Sequence, residues 1–220
     1  MKQWNFTGET KTECGIVLHR IKAATTFMLK CGVTVKAGEV GGWIEKESNL
    51  SGNAWVYDNA QIYGDARVFG NARVYGNARV YDNAWVYGNA WVSGNAQVFS
   101  NARVFSEAWV YGNAQVYGNV WVCGNARVCG NAQMYDNTHY LLIGRIGSRS
   151  DFTTFTRDKA GTIYVSCGCF YGTLDEFRAR VHKAHSDNKH GRIYQAAADL
   201  AELQIDTMPI ENERKTTPWE

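Results

Sequence analysis

The stretch AWVYGNAWVSGNAQVFSNARVFSEAWVYGNAQVYGN, residues 84–119, is one six-residue word repeated with small changes. Fourteen such words follow one another without insertion from Asn53 to Asp136. Twelve begin with Asn, Asp65 and Glu107 being the exceptions; thirteen continue with Ala, replaced once by Val120; twelve carry Val fourth, with Ile62 and Met134 as substitutes. A period this strict constrains the fold more than any composition does. Each unit must repeat one local geometry, and no unit can bury its apolar side alone.

Within a word Ala and Val are two apart, so in an extended segment they share one side and the residue between them takes the other. Ala and Val are therefore expected to face inward. The Gly-Asn, Asp-Asn or Ser-Asn pair supplies a corner, because Gly and Asn adopt left-handed backbone angles at the least cost. Each word predicts one short strand and one turn, and stacked words predict a solenoid with a Val/Ala column inside. The pattern, seen as Val-Tyr-Gly-Asn-Ala-x in Val74 to Arg79, resembles the hexapeptide-repeat family. That resemblance implies a left-handed parallel β-helix, a triangular prism with three hexads per coil. Fourteen hexads then make between four and five coils, about 22 Å tall at ~4.8 Å per rung.

If three hexads complete a coil, outward residues sort by steps of eighteen. One face is expected to carry Trp55, Arg73, Trp91, Trp109 and Arg127; a second Gln61, Arg79, Gln97, Gln115 and Gln133; the third Arg67, Trp85, Arg103 and Trp121. The fifth residue, beside Val, is aromatic in eleven of the fourteen words. Two faces thus combine Trp, Arg and flanking rings, more apolar surface than a monomer usually leaves in water. Members of the resembled family are typically trimers packed prism against prism, so self-association, as a homotrimer, is the expected partner arrangement. Trp55, Trp91, Trp109, Arg73 and Arg127 are the candidate oligomer interface. Trp85, Arg103 and Trp121 are a candidate surface for a planar or anionic ligand held by stacking and Arg contacts. A third reading is that the ladders only stiffen the coils.

A solenoid needs caps at its apolar ends. GGWIEKESNLSG, residues 41–52, keeps the spacing loosely, with Ile44 and Leu50 where Val56 would stand, and reads as a degenerate first coil. The expected organisation is an N-terminal cap over 1–40 with short strands, a β-helix over 41–137, an α+β domain over 138–205 and a flexible polar tail over 206–220. HYLLIGRIG, DFTTF and GTIYVSCGCF read as strands. TLDEFRARVHKAHS opens with Thr173 and Glu176 in capping-box spacing, and GRIYQAAADLAELQ reads as a second helix. The fold class is mainly β, with a small C-terminal α+β domain.

Across nearly the whole chain, the GGWIEKESNLS start, the Asn-Ala-x-Val-Tyr-Gly words, CGCF and the Leu-Asp-Glu-Phe helix resemble phage and prophage hypothetical proteins. That resemblance implies a genomic setting and brings no chemistry with it.

Charge is balanced along the chain, 23 Lys and Arg against 21 Asp and Glu, without the concentrated basic face of a duplex binder. The start MKQWNFTGETKTECG lacks the apolar core of a signal peptide, and no run approaches a membrane span. Six scattered cysteines fit a reducing compartment. The expectation is a cytoplasmic protein of a bacterial host, with neither membrane nor duplex nucleic acid as partner.

The resembled family is best known for acyltransferases, which use a His at the trimer cleft and a loop extruded from a coil. Here the hexads hold no His and no insertion; His19 and His139 lie outside them. Cys167, Cys169, His182 and His185 carry zinc-ligand chemistry, but Cys-x-Cys is tighter than the common spacer and both His fall on a predicted helix. No metal, cofactor or catalytic residue is expected. GRIGSRSDF offers backbone N–H groups, Ser148 and the guanidinium groups of Arg145 and Arg149 to a small anion, with Arg157 following; a plain polar turn is the alternative. The functional expectation is a non-enzymatic, oligomeric, phage-related binding protein. It would counter host defence by sequestering a nucleotide signal or by blocking a host protein. A structural, virion-associated role and an acyltransferase are the alternatives.

Overall fold

Each hexad from Asn53 to Asp136 contributes one two-residue strand, its third and fourth residues, from Trp55–Val56 to Gln133–Met134. The computed structural model describes residues 3–30 and 32–210, and the chain divides into two units, Met1–Asn137 and Thr138–Glu220. Cys31 and residues 211–220, most of the expected tail, lie outside the described residues.

In the first unit the strands pair in parallel with partners eighteen residues away, giving three sheets that run along the solenoid. The register is direct: Arg79 pairs with Gln61 and Gln97, Trp85 with Arg67 and Arg103, Trp91 with Arg73 and Trp109. Backbone N–H groups donate to the carbonyl seventeen residues on, as in Trp55 to Ala72 at 3.0 Å and Tyr57 to Val74 at 2.8 Å. Every second-position Ala or Val and every fourth-position aliphatic is buried. The two-residue spacing thus builds a continuous inner column of small and β-branched side chains.

Residues 41–56 form the first coil: Ile44 pairs with Ile62, Leu50 bridges Val68, and Val56 pairs with Val74. Below it lies a hairpin of ten- and eight-residue strands, β1 (Trp4–Glu13) and β2 (Ile16–Ala23), longer than the short strands expected over 1–40. β2 runs antiparallel to a strand over Val40–Ile44, which continues the glutamine face. The contact is tight: a Cβ on Gly42 would lie 2.6 Å from Val56 Cγ1 and 2.7 Å from the Ala60 carbonyl oxygen. Two small strands, Phe27–Met28 and Thr34–Val35, complete the cap.

The second unit is a four-stranded antiparallel sheet in chain order, Tyr140–Ile146, Asp151–Arg157, Ile163–Cys167 and Phe170–Thr173, with two helices. Helix α1 (Leu174–His185) starts with the capping box of Thr173 and Glu176, and helix α2 (Lys189–Gln204) is capped by Asn188. Phe155, Val165, Phe177, Val181, Tyr194 and Ala198 form its core. Residues 206–210 correct the expectation of a tail that is free from 206 onward. Asp206 N donates to the Thr138 carbonyl, Arg157 Nη1 donates to the Asp206 carbonyl, and Ile210 N to that of Lys159. No helix among the described residues is long and apolar enough to cross a membrane.

Candidate functional site

Because Ala and Val turn inward, the third residue of each hexad turns outward, and parallel register stacks equal positions one rung apart. On the third face this produces an alternating column of Arg67, Trp85, Arg103 and Trp121. The guanidinium carbon of Arg67 is 5.9 Å from the Trp85 ring centroid; that of Arg103 is 4.8 Å from Trp85 and 5.2 Å from Trp121. On the face that begins with Trp55, Arg73 lies 4.5 Å over Trp91 and Arg127 lies 5.4 Å over Trp109. The two central rings there meet at 4.9 Å, tilted by 59°. Cations and rings therefore satisfy one another within the solenoid.

The fifth residues form parallel ring columns at the corners. Phe69, Tyr87 and Phe105 stack at 4.9 and 5.0 Å, within 3° of parallel. Tyr63, Tyr81, Phe99 and Tyr117 stack at 5.0, 4.9 and 4.8 Å, within 7° of parallel. Burial is the main reason the Tyr63 hydroxyl is pushed up to about 12, and it drives those of Tyr57 and Tyr81 higher.

Trp55 corrects the sequence expectation of an exposed interface residue. It is fully buried within its own unit, its ring meeting Phe27 edge-on at 5.7 Å and Tyr57 at 6.3 Å. The cap supplies the cover, so no partner is needed at this rung. The glutamine face is partly covered too. Glu13, at the tip of the hairpin, accepts from Gln61 Nε2 at 2.7 Å and pairs with Arg79, while Lys11 Nζ lies 4.7 Å over Trp43. Burial pushes the Glu13 carboxyl up, but the Gln61 bond and the charges of Arg79 and Lys11 outweigh it and hold the group below its ordinary value. Higher on the ladders Trp109 is 39% and Trp121 50% exposed.

In the second unit Arg145 sits at an irregularity of the first strand with φ +46°, and Ser148 and Arg149 lie in the turn between the first two strands. All three are exposed, and Arg149 Nη1 approaches Cys169 Sγ at 3.9 Å. Arg157 does not join them. It ends the strand that Asp151 begins, about 20 Å along, and is buried, with Nε donating to the Asp158 carbonyl and Nη1 to that of Asp206. Its role is to tie down the chain after α2.

The four metal-ligand candidates are not brought together. Cys167, half-buried, accepts from Thr153 Oγ1 at 3.3 Å; Cys169 is exposed; His182 is exposed on α1; and the His185 ring packs 5.7 Å from that of Tyr194. Among the described residues no three His, Cys, Asp or Glu side chains could hold a metal ion. His19 packs on Phe6 at 4.9 Å and His139 is buried. Sequence reasoning missed a recess of about 240 Å³ at the helix junction, lined by His182, Asp187, Arg192, Gln195 and Asp199. It is smaller than a usual ligand pocket, and only the fold brings its walls together.

Compared with known families, the chain matches the model of the YdcK β-solenoid repeat at residues 60–76, 72–88 and 78–94. This is a β-solenoid repeat protein. The matches begin twelve and then six residues apart (72 − 60 and 78 − 72), whole numbers of hexads, so the family's unit slides along the solenoid in its own period. No curated protein matches the chain.

Proposed function

We propose that the protein is a non-enzymatic, self-associating solenoid that acts by presenting its Arg/Trp ladders to a macromolecular partner. The observation that carries this reading is the occupancy of the ring faces. Trp85 has a guanidinium on each side, from Arg67 and Arg103, and Trp91 is flanked by Arg73 and Trp109. A purine could stack there only by displacing an Arg, whereas a protein surface can dock on the assembled ladder, whose Trp and Arg are the side chains most enriched at interfaces. In the phage or prophage setting implied by the resemblance, and inside a bacterial host, the partner is a host protein that the solenoid blocks.

Sequestration of a nucleotide is the second reading, favoured by the exposed Arg145, Ser148 and Arg149 on one hairpin turn. Native mass spectrometry of protein purified from host cells separates the two. An oligomer without added mass supports docking on a protein. A nucleotide-sized mass released on denaturation overturns that in favour of sequestration, with Arg149→Ala abolishing it. Turnover of coenzyme A thioesters by the purified protein would sink the non-enzymatic reading.

A further inference from the structure

The geometry points to a second copy of this chain as the occupant of the Arg67, Trp85, Arg103, Trp121 face, packed antiparallel about a two-fold axis. The inference rests on the self-association in the reading above and gives it a face, a partner and a symmetry.

The chain covers part of two faces for itself. The hairpin engages Gln61 and Arg79 on the glutamine face through Glu13. Phe27 covers Trp55 at the foot of the second face. On the third face Arg67, at the foot, is exposed, and Trp121, at the top, is half exposed. A column of Phe69, Tyr87 and Phe105 rings runs beside this ladder. The face is therefore aromatic over its whole height, the kind of surface that marks a contact.

The order of residues then selects the symmetry. Two copies packed face to face can be related by a two-fold axis along the solenoid or across it. An axis along the solenoid keeps rungs level, so Arg67 meets Arg67 and Arg103 meets Arg103, placing like charges together. An axis across the solenoid, between the Trp85 and Arg103 rungs, reverses the order. Arg67 of one copy then meets Trp121 of the other, and Trp85 meets Arg103. Every rung pairs a guanidinium with an indole, because Arg-Trp-Arg-Trp read backwards is Trp-Arg-Trp-Arg. The ring column follows suit, with Tyr87 opposite Phe105.

The neighbouring face lacks this property. Its accessible order, Arg73, Trp91, Trp109, Arg127, is the same in both directions, so either axis sets Arg against Arg. Juxtaposed like charges disfavour a contact, so of the two Arg/Trp faces the alternating one is complementary to itself. The second face is thereby left for the partner of the proposed function.

The second face also supplies the decisive variant, since it shows that the order Arg-Trp-Trp-Arg is compatible with the solenoid. Arg103→Trp combined with Trp121→Arg gives the third face that order and keeps its composition, replacing the Arg103 contact with Trp85 by a ring–ring contact of the kind Trp91 and Trp109 make. Sedimentation velocity over a concentration series of the full chain is expected to show a dimer of wild type in the micromolar range, as suits a small contact. The double variant should weaken it about tenfold or more. Exchanging Arg67 with Trp85 as well restores an alternating order, and with it the dimer. A circular dichroism melt of each variant separates loss of contact from loss of fold. A wild-type trimer would overturn the two-fold pairing while leaving self-association standing; a monomer at every concentration would overturn both. A dimer indifferent to the exchange would remove this face from consideration.

Discussion

Arg103 lies between two tryptophans, its guanidinium carbon 4.8 Å from the Trp85 ring centroid and 5.2 Å from that of Trp121. One cation thus links three rungs of the same sheet. Each such contact at a surface contributes roughly 0.5–1 kcal/mol, so Arg103→Ala should lower unfolding stability by about 1–2 kcal/mol. Arg103→Lys should recover part of that, since an ammonium keeps the charge and loses the planar stack. Urea denaturation of the three proteins checks the order.

At the corners, position rather than composition decides the cost. Gly118 has φ +66°, and a Cβ there would lie 2.4 Å from the Tyr135 carbonyl oxygen. Gly118→Ala must move backbone as well as adopt a left-handed conformation, a loss of at least about 2 kcal/mol. Ser106 holds the same corner position with φ +62°, already bearing the strain that Gly would relieve. Ser106→Gly should gain roughly 0.5–1 kcal/mol. Opposite shifts in melting temperature are expected from the two variants.

Glu13 makes the hairpin sensitive to acid. Its folded pKa lies below the ordinary 4.5, so the carboxylate stabilises the fold above that value, and the contribution disappears as pH falls through the folded pKa. Glu13→Gln should remove it at neutral pH and flatten the acid limb of the stability curve below 4.5. Hydrogen exchange of residues 4–23, followed from pH 7 to pH 3, reads the hairpin directly; exchange equally slow in wild type and variant would refute this role of Glu13.

The hexad made the faces legible because a strict period needs only one rule, three strands per coil, to convert sequence distance into rungs. The columns Arg67 to Trp121 and Gln61 to Gln133 follow from that rule alone. Trp55 obeys the period but not the expectation, because its cover, Phe27, comes from a cap with no period to read. Glu13 reaches Arg79 across 66 positions for the same reason. Arg157 misled differently: in Asp151–Arg157 the last five residues are all buried, a pattern that offers no alternation to mark an inward Arg. The recess between α1 and α2 depends on how two helices meet, which neither helix encodes by itself.

Tyrosine burial predicts an alkaline limit. The Tyr63 hydroxyl rises from 10.0 to about 12 in the fold, chiefly because burial disfavours the phenolate. A folded pKa above the unfolded one stabilises the protein fully below pH 10, and that contribution is lost as pH climbs through about 12. Tyr63→Phe keeps the stacked ring, as Phe99 does in the same column. It should leave stability at pH 7 nearly unchanged and reduce the loss above pH 10, measured by denaturant midpoints against pH alongside ultraviolet detection of tyrosinate.

Trp55 and Trp109 occupy the same face and the same hexad position, and they should fail in different ways. Trp55 is wholly enclosed by the cap and first coil, so Trp55→Ala leaves a cavity and should cost about 3–5 kcal/mol. Trp109 is 39% exposed and keeps its contacts with Trp91 and Arg127 at the surface, so Trp109→Ala should cost about 1–2 kcal/mol. If this face docks a protein, Trp109→Ala should abolish partner capture while the variant remains folded at 37 °C, a residue this exposed being better explained by contact than by stability. Full capture by a folded Trp109→Ala protein would place the docking surface elsewhere, and unfolding of that variant as complete as that of Trp55→Ala would mean the ladder serves the solenoid alone.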